Sequence, residues 1–230
     1  LSKKAFEEYQ HFRKADPAVN QLKNFYSRQG MPSHFIDLIV EEYEDIRGIM
    51  ADFHADNFLQ DKDICEFGDW KFEVIYTPGH AVGHVCFFFP EKGFLLSGDH
   101  VLPYIVPILS PDIFDDHFRP LATYLNSLSV IGHLPVSTVY PGHGNSFVDY
   151  QERLADIRQH HHKRKRVVLD FVNTRPQTTY DISLKMISPT LSDFDKFLAL
   201  NEILTYLKEL RAESIIQENM INNVWVYTRT

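Results

Sequence analysis

Thr77-Pro78-Gly79-His80-Ala81-Val82-Gly83-His84, then an apolar run, then Ser97-Gly98-Asp99-His100, is the stretch whose reading decides the fold. A shorter echo stands at Tyr140-Pro141-Gly142-His143-Gly144. All three parts have the same build. An apolar, strand-like segment (Phe72 to Tyr76, Phe94 to Leu96, Ser137 to Tyr140) runs into a glycine-containing turn, and a His or Asp sits at or just past it. Glycine permits the tight backbone, and the strand end is a rigid support. Three such ends could bring His80, Asp99 and His143 to one place. Neutral imidazoles and a carboxylate suit a zinc-type ion, and a carboxylate has two oxygens with which to bridge two ions. The chain holds 12 histidines, and a single His after a glycine is an ordinary turn residue. Recurrence of one build at three strand ends is what points to metal.

In this order the motifs resemble the later metal motifs of the metallo-β-lactamase-fold hydrolases. The run Gly98-Asp99-His100-Val101-Leu102-Pro103 resembles the glyoxalase-like bacterial branch that carries a winged-helix tail. The resemblance covers nearly the whole chain and implies an α/β fold, the four-layer αββα sandwich. In that family one metal is held by two His of a His-x-His-x-Asp-His motif plus the match to His80. The other is held by the Asp and His closing that motif plus the match to His143, and the match to Asp99 bridges both. A metal-activated water or hydroxide is the implied nucleophile, with no separate catalytic side chain. Zinc is the default ion; iron or manganese suits the same ligands.

No His-x-His-x-Asp-His occurs in the 230 residues, which open Leu1-Ser2-Lys3-Lys4. The expectation is the C-terminal part of a longer enzyme. Residues 1–148 are then an N-terminally incomplete metallo-β-lactamase-like domain with a helical insertion at about 1–50. Residues 149–230 are a long connecting helix and a winged-helix-like tail. With three of the family's seven ligands, this chain is expected to bind metal weakly or not at all and to hydrolyse poorly. The implied substrate is a small ester, thioester, lactone or related molecule. The alternatives are a non-catalytic interaction module with an incomplete metal site, or a metal-dependent nuclease.

A net charge of −8 disfavours a dedicated nucleic-acid surface, and with it the nuclease. Hydrophobic residues at 44% and charged residues at 23% are ordinary for a globular protein. The two cysteines, Cys65 and Cys86, form no Cys-x-x-Cys and are read as reduced thiols of a cytoplasmic protein. No run is long enough to cross a bilayer. No membrane partner is expected, and a homo-oligomer is possible.

Along the chain, helical spacing predicts helices over 2–13, from Pro17 to Gly30, and from Ser33 as N-cap with a stripe of Ile36, Ile39, Val40, Tyr43, Ile46 and Ile49. Strands are predicted over Lys71–Thr77, His84–Phe89, Phe94–Leu96 and Ser137–Tyr140, with a helix at about 119–132. His84 and His100 are read as supports behind the metal ligands. Tyr104, Ile105 and Ile108, in a proline-rich loop, are candidates for the substrate-pocket wall. His34, His54, His117 and His133 are read as surface or packing residues.

A helix is predicted over Asp149 to about Asn173, its tract His160-His161-His162-Lys163-Arg164-Lys165-Arg166 a solvated face. Short and long helices (179–187, 192–211) and a hairpin around Asn222-Asn223 follow. Acidic residues on the long helix argue against phosphate contact, so the tail is read as a packing or oligomerisation module.

Overall fold

The computed structural model describes residues 1–13, 15–172 and 175–230. In chain order the elements are α1 (Lys3–Arg13), α2 (Ala15–Arg28), α3 (Ser33–Ile49), β1 (Ile64–Phe67), β2 (Trp70–Tyr76), β3 (Val85–Phe89), β4 (Phe94–Gly98) and α4 (Pro120–Ile131). They continue with β5 (Thr138–Pro141), α5 (Tyr150–Phe171), α6 (Thr179–Met186), α7 (Asp193–Ala212), β6 (Ile216–Ile221) and β7 (Val224–Arg229). Asn173, the expected end of the long helix, lies outside the described residues. The chain forms two compact units, each made of three segments: 1–9, 54–109 and 120–162 in one, 10–53, 110–119 and 163–230 in the other. That division differs from a single cut at residue 148. Of the helices expected as an insertion, α2 and α3 group with the tail, while most of α1 falls in the first unit.

The first unit holds a five-stranded sheet in the order β1-β2-β3-β4-β5. The β1–β2, β2–β3 and β3–β4 pairs are antiparallel and β4–β5 is parallel. Strands β2, β4 and β5 therefore run in one direction and end at one edge. A parallel neighbour needs a crossover, and the segment carrying α4 supplies it. Side chains alternate between faces. Ile75, Cys86, Phe88, Leu95 and Val139 share the buried face. Rings contact one another across the other face: Phe72–Phe87 at 5.2 Å, Phe89–Phe94 at 4.4 Å and Phe94–Tyr140 at 5.3 Å. Trp70, Leu96 and Tyr140 on that face remain exposed. Four-residue β1 has no alternating apolar pattern.

In the second unit Ala18, Leu22, Tyr26, Met31, Phe35, Ile36, Ile39, Tyr43 and Leu200 form one core. Two details of α3 differ from expectation. Pro32 takes the N-cap position without a side-chain cap, and Ser33 is already helical. The far end of the predicted stripe is open, with Ile49 84% exposed. Helix α6 has the capping box of Thr178 and Asp181, and Ser192 caps α7. The hairpin turns at Asn222 and Asn223 with φ of 50° and 64°, as a tight primed turn requires. Helix, helix, hairpin is the order the sequence predicts.

The His160–Arg166 tract is not uniformly solvated. His161 is buried, its ring edge-on to Tyr124 at 5.3 Å. Adjacent helical residues face different ways, so one can be buried while a neighbour stays in solvent. Burial, with His160 beside it, pushes the His161 pKa down to about 4. The folded state thus disfavours a proton that the unfolded chain takes near 6.5. The stability held with His161 neutral is complete above pH 6.5 and is lost as pH falls towards 4. We expect the urea midpoint to drop over that window, and to drop less in His161→Leu; equal slopes in the two proteins would refute this origin.

Candidate metal centre

Each of the three residues singled out follows the C-terminal end of one of the co-directional strands. His80 comes after β2, Asp99 after β4 and His143 after β5. Strand register and glycine turns then bring them together. His80 Nε2 lies 3.8 Å from Asp99 Oδ2, and His143 Nε2 lies 3.5 Å from Asp99 Oδ1. Each carboxylate oxygen therefore faces its own imidazole. His80 and Asp99 are about one-third exposed and His143 is 71% exposed.

The turns are close-packed. Gly79, with φ of 143°, lies against α4, where a Cβ would come within 2.5 Å of Tyr124 Cβ. At Gly142 a Cβ would stand 2.5 Å from Asp99 Oδ1. Backbone approach of this kind excludes a side chain. Ser127 on α4 donates to the Pro78 carbonyl at 2.7 Å, holding the His80 turn from behind.

The orientation of His80 carries chemical information. Its Nδ1 is 2.8 Å from the Ile108 carbonyl oxygen. A carbonyl only accepts, so Nδ1 bears the proton, and whenever the ring is neutral the lone pair is on Nε2. That lone pair faces a carboxylate oxygen too far away to be a hydrogen-bond partner. With the ring neutral, two acceptors face each other, an arrangement that a cation between them would satisfy. A tetrahedral ion with bonds of about 2.1 Å separates two donors by roughly 3.4 Å, close to both spacings.

The donor set fits divalent metal in kind, tautomer and spacing. It falls short in number: each position has two donors, where a catalytic zinc has three. Among the described residues no group of three or more His, Cys, Asp and Glu side chains is placed to hold one ion. His80 and His143 address opposite oxygens of Asp99 and so do not surround a common point.

His84 and His100 lie behind this triad. His84 Nδ1 is 2.8 Å from Thr77 Oγ1, which in turn is 3.3 Å from Cys86 Sγ. His100 is fully buried between His84 and Tyr124, with ring centroids at 5.6 and 4.7 Å, and among the described residues neither ring nitrogen has a hydrogen-bond partner. Burial pushes His84 down to about 4 and His100 well below the usual range. Both are neutral at pH 7. Tyr104, Ile105 and Ile108 are all exposed on residues 101–109. His34, His54, His117 and His133 are exposed. Thr77 sat inside the quoted motif without an assigned task. Tyr124 and Arg153, whose side chains support the site, had no signal beyond an ordinary helical pattern.

The chain belongs to the metallo-beta-lactamase superfamily, whose family model matches residues 8–143. It is 29% identical over 160 residues to the "Probable metallo-hydrolase YqjP" of Bacillus subtilis, covering 68% of this chain and 50% of that protein. It is 30% identical over 96 residues to an "Atrochrysone carboxyl ACP thioesterase" of Aspergillus chevalieri, covering 42% of this chain and 28% of that one. A metallo-beta-lactamase family protein from Thermus thermophilus superposes with a TM-score of 0.86 at 25% identity, over 100% of this chain and 71% of its own. The chain thus spans half or less of the length of these two curated relatives.

If Gly142 is required for the approach to Asp99, Gly142→Ala should displace the carboxylate and weaken cobalt(II) binding at least about tenfold, the scale expected when a ligand's support is disturbed. The melting temperature should move by only a few degrees. Unchanged cobalt affinity in a folded Gly142→Ala protein would show that the contact does not matter.

Proposed function

We propose that this chain carries the strand-end half of the metal centre of a hydrolase acting on small esters, thioesters or lactones. One observation carries the reading: the two oxygens of Asp99 are each flanked by an imidazole Nε2, at 3.8 and 3.5 Å. His80 and Asp99 Oδ2 would hold one ion, His143 and Asp99 Oδ1 a second, with Asp99 between them. A divalent ion supplies Lewis acidity and lowers the pKa of a water at neutral pH. The chain's own residues do the rest. The Ile108 carbonyl keeps the proton on Nδ1 of His80 and so keeps Nε2 available. Neutral His84 and His100 add no positive charge behind the site. The exposed apolar side chains of Tyr104, Ile105 and Ile108 offer a surface for the hydrocarbon part of a substrate.

A thioester substrate is supported by the thioesterase name of one relative. Zinc is the proposed ion, with iron or manganese as substitutes. A cytoplasmic location follows from the reduced-thiol reading, and among the described residues no helix is long and apolar enough to cross a membrane. The tail is read as a packing module: Lys208 on α7 is buried against Asp116 at 2.9 Å and so is not offered to phosphate. The non-catalytic alternative is favoured by the two-donor count at each position.

Two donors per position predict loose metal binding by the isolated chain. After dialysis, less than one cobalt or zinc ion should remain per 230-residue chain, and Asp99→Asn should abolish what remains. Slow thioester hydrolysis should appear only with excess metal and vanish in Asp99→Asn. Two tightly held ions, or hydrolysis indifferent to metal and to Asp99→Asn, would overturn the proposal.

The exposed side chains of Trp70, Leu96 and Tyr140 on one face of the sheet should be met by self-association. Light scattering should show a mass that rises with concentration. A strict monomer at high concentration would contradict this.

A further inference from the structure

We propose that Arg153 is a positioning residue for this site, acting on His80 through the strap of residues 101–109. Arg153 stands in the first turn of α5. Its Nε donates to the Leu102 carbonyl at 2.6 Å and its Nη2 to the Ile105 carbonyl at 2.7 Å. Among the described residues no other donor reaches either oxygen. The entry of the strap is held separately. Ser97 Oγ donates to the Val101 carbonyl at 2.8 Å, and Tyr124 Oη donates to the His100 carbonyl at 2.7 Å. Its exit is the Ile108 carbonyl, which receives the Nδ1 proton of His80.

Between these fixed points the strap has no regular structure, and its middle depends on the guanidinium. Pro103 and Pro107 fix two φ angles and so transmit a pinned middle to the exit. The strap also touches the other imidazole turn: a Cβ on Gly144 would come within 2.8 Å of Pro103 Cγ. One side chain therefore sets the segment that abuts both His80 and His143. The planar fork of arginine serves two carbonyls from adjacent nitrogens, which the single ammonium of lysine cannot do in a fixed geometry.

This inference rests on the metal reading above, so its test has one arm that needs no metal. Long-range nitrogen–proton spectra of the histidine rings report the tautomer of His80 in the metal-free chain. Wild type should show one species, protonated at Nδ1. Arg153→Met should show mixed tautomers, and Arg153→Lys an intermediate pattern. Arg158→Met, which removes contacts to Leu125 and Ser129, should leave His80 unchanged. In the second arm, cobalt(II) affinity should fall about tenfold in Arg153→Met and be partly restored by lysine. A single Nδ1-protonated His80 in folded Arg153→Met overturns the proposal. If wild type takes up no cobalt while the tautomer responds as described, the clamp stands and the metal reading falls. Should Arg153→Met fail to fold, Arg153→Lys decides by the same spectra.

Discussion

Strand direction is the constraint on which the site depends. Because β2, β4 and β5 point the same way, their C-terminal ends share one edge, and residues far apart in sequence leave the sheet side by side. The parallel β4–β5 pair is the decisive link. Without its crossover through α4, Asp99 and His143 would sit at opposite ends of adjacent strands. The same crossover supplies Tyr124 and Ser127, which press on the Gly79 turn and the Pro78 carbonyl. A helix needed for topology thus also sets the position of a ligand candidate.

Electrostatics around the carboxylate follow from burial. His84 and His100 lie where a proton would be poorly solvated, so both stay neutral. A charged imidazole there would repel any cation held at Asp99. Among the described residues His100 has no partner for either ring nitrogen. An unsatisfied buried polar group costs about 1–3 kcal/mol. That cost is set against the packing of its ring between His84 and Tyr124.

Much of this was legible in the sequence because glycine turns and apolar runs are local signals. The ends of β2, β4 and β5, the long helices and the Asn222-Asn223 hairpin were all readable in this way. What escaped notice depends on contacts distant in sequence. β1 exists because it pairs with β2, and its four residues carry no pattern of their own. His161 looked like part of a charged, solvated tract because burial of one helical position is decided by what packs there, here Tyr124. Arg153 carries no local signal of its own, because its carbonyl partners lie about 50 residues earlier. The three-segment make-up of each compact unit was hidden for the same reason.

That make-up has a bearing on biosynthesis. The chain passes between its two units at residues 9–10, 53–54, 109–110, 119–120 and 162–163. Neither unit is contiguous, so a nascent chain on the ribosome cannot complete the first before residue 162 has emerged. The second must wait for the last strand. Strand β5, which brings His143, arrives long after β2 and β4 have been exposed in the exit vestibule. Early β2–β3–β4 meanders would therefore present their aromatic rings while still tethered, a period in which chaperone engagement matters more than it would for a protein whose modules follow one another along the chain.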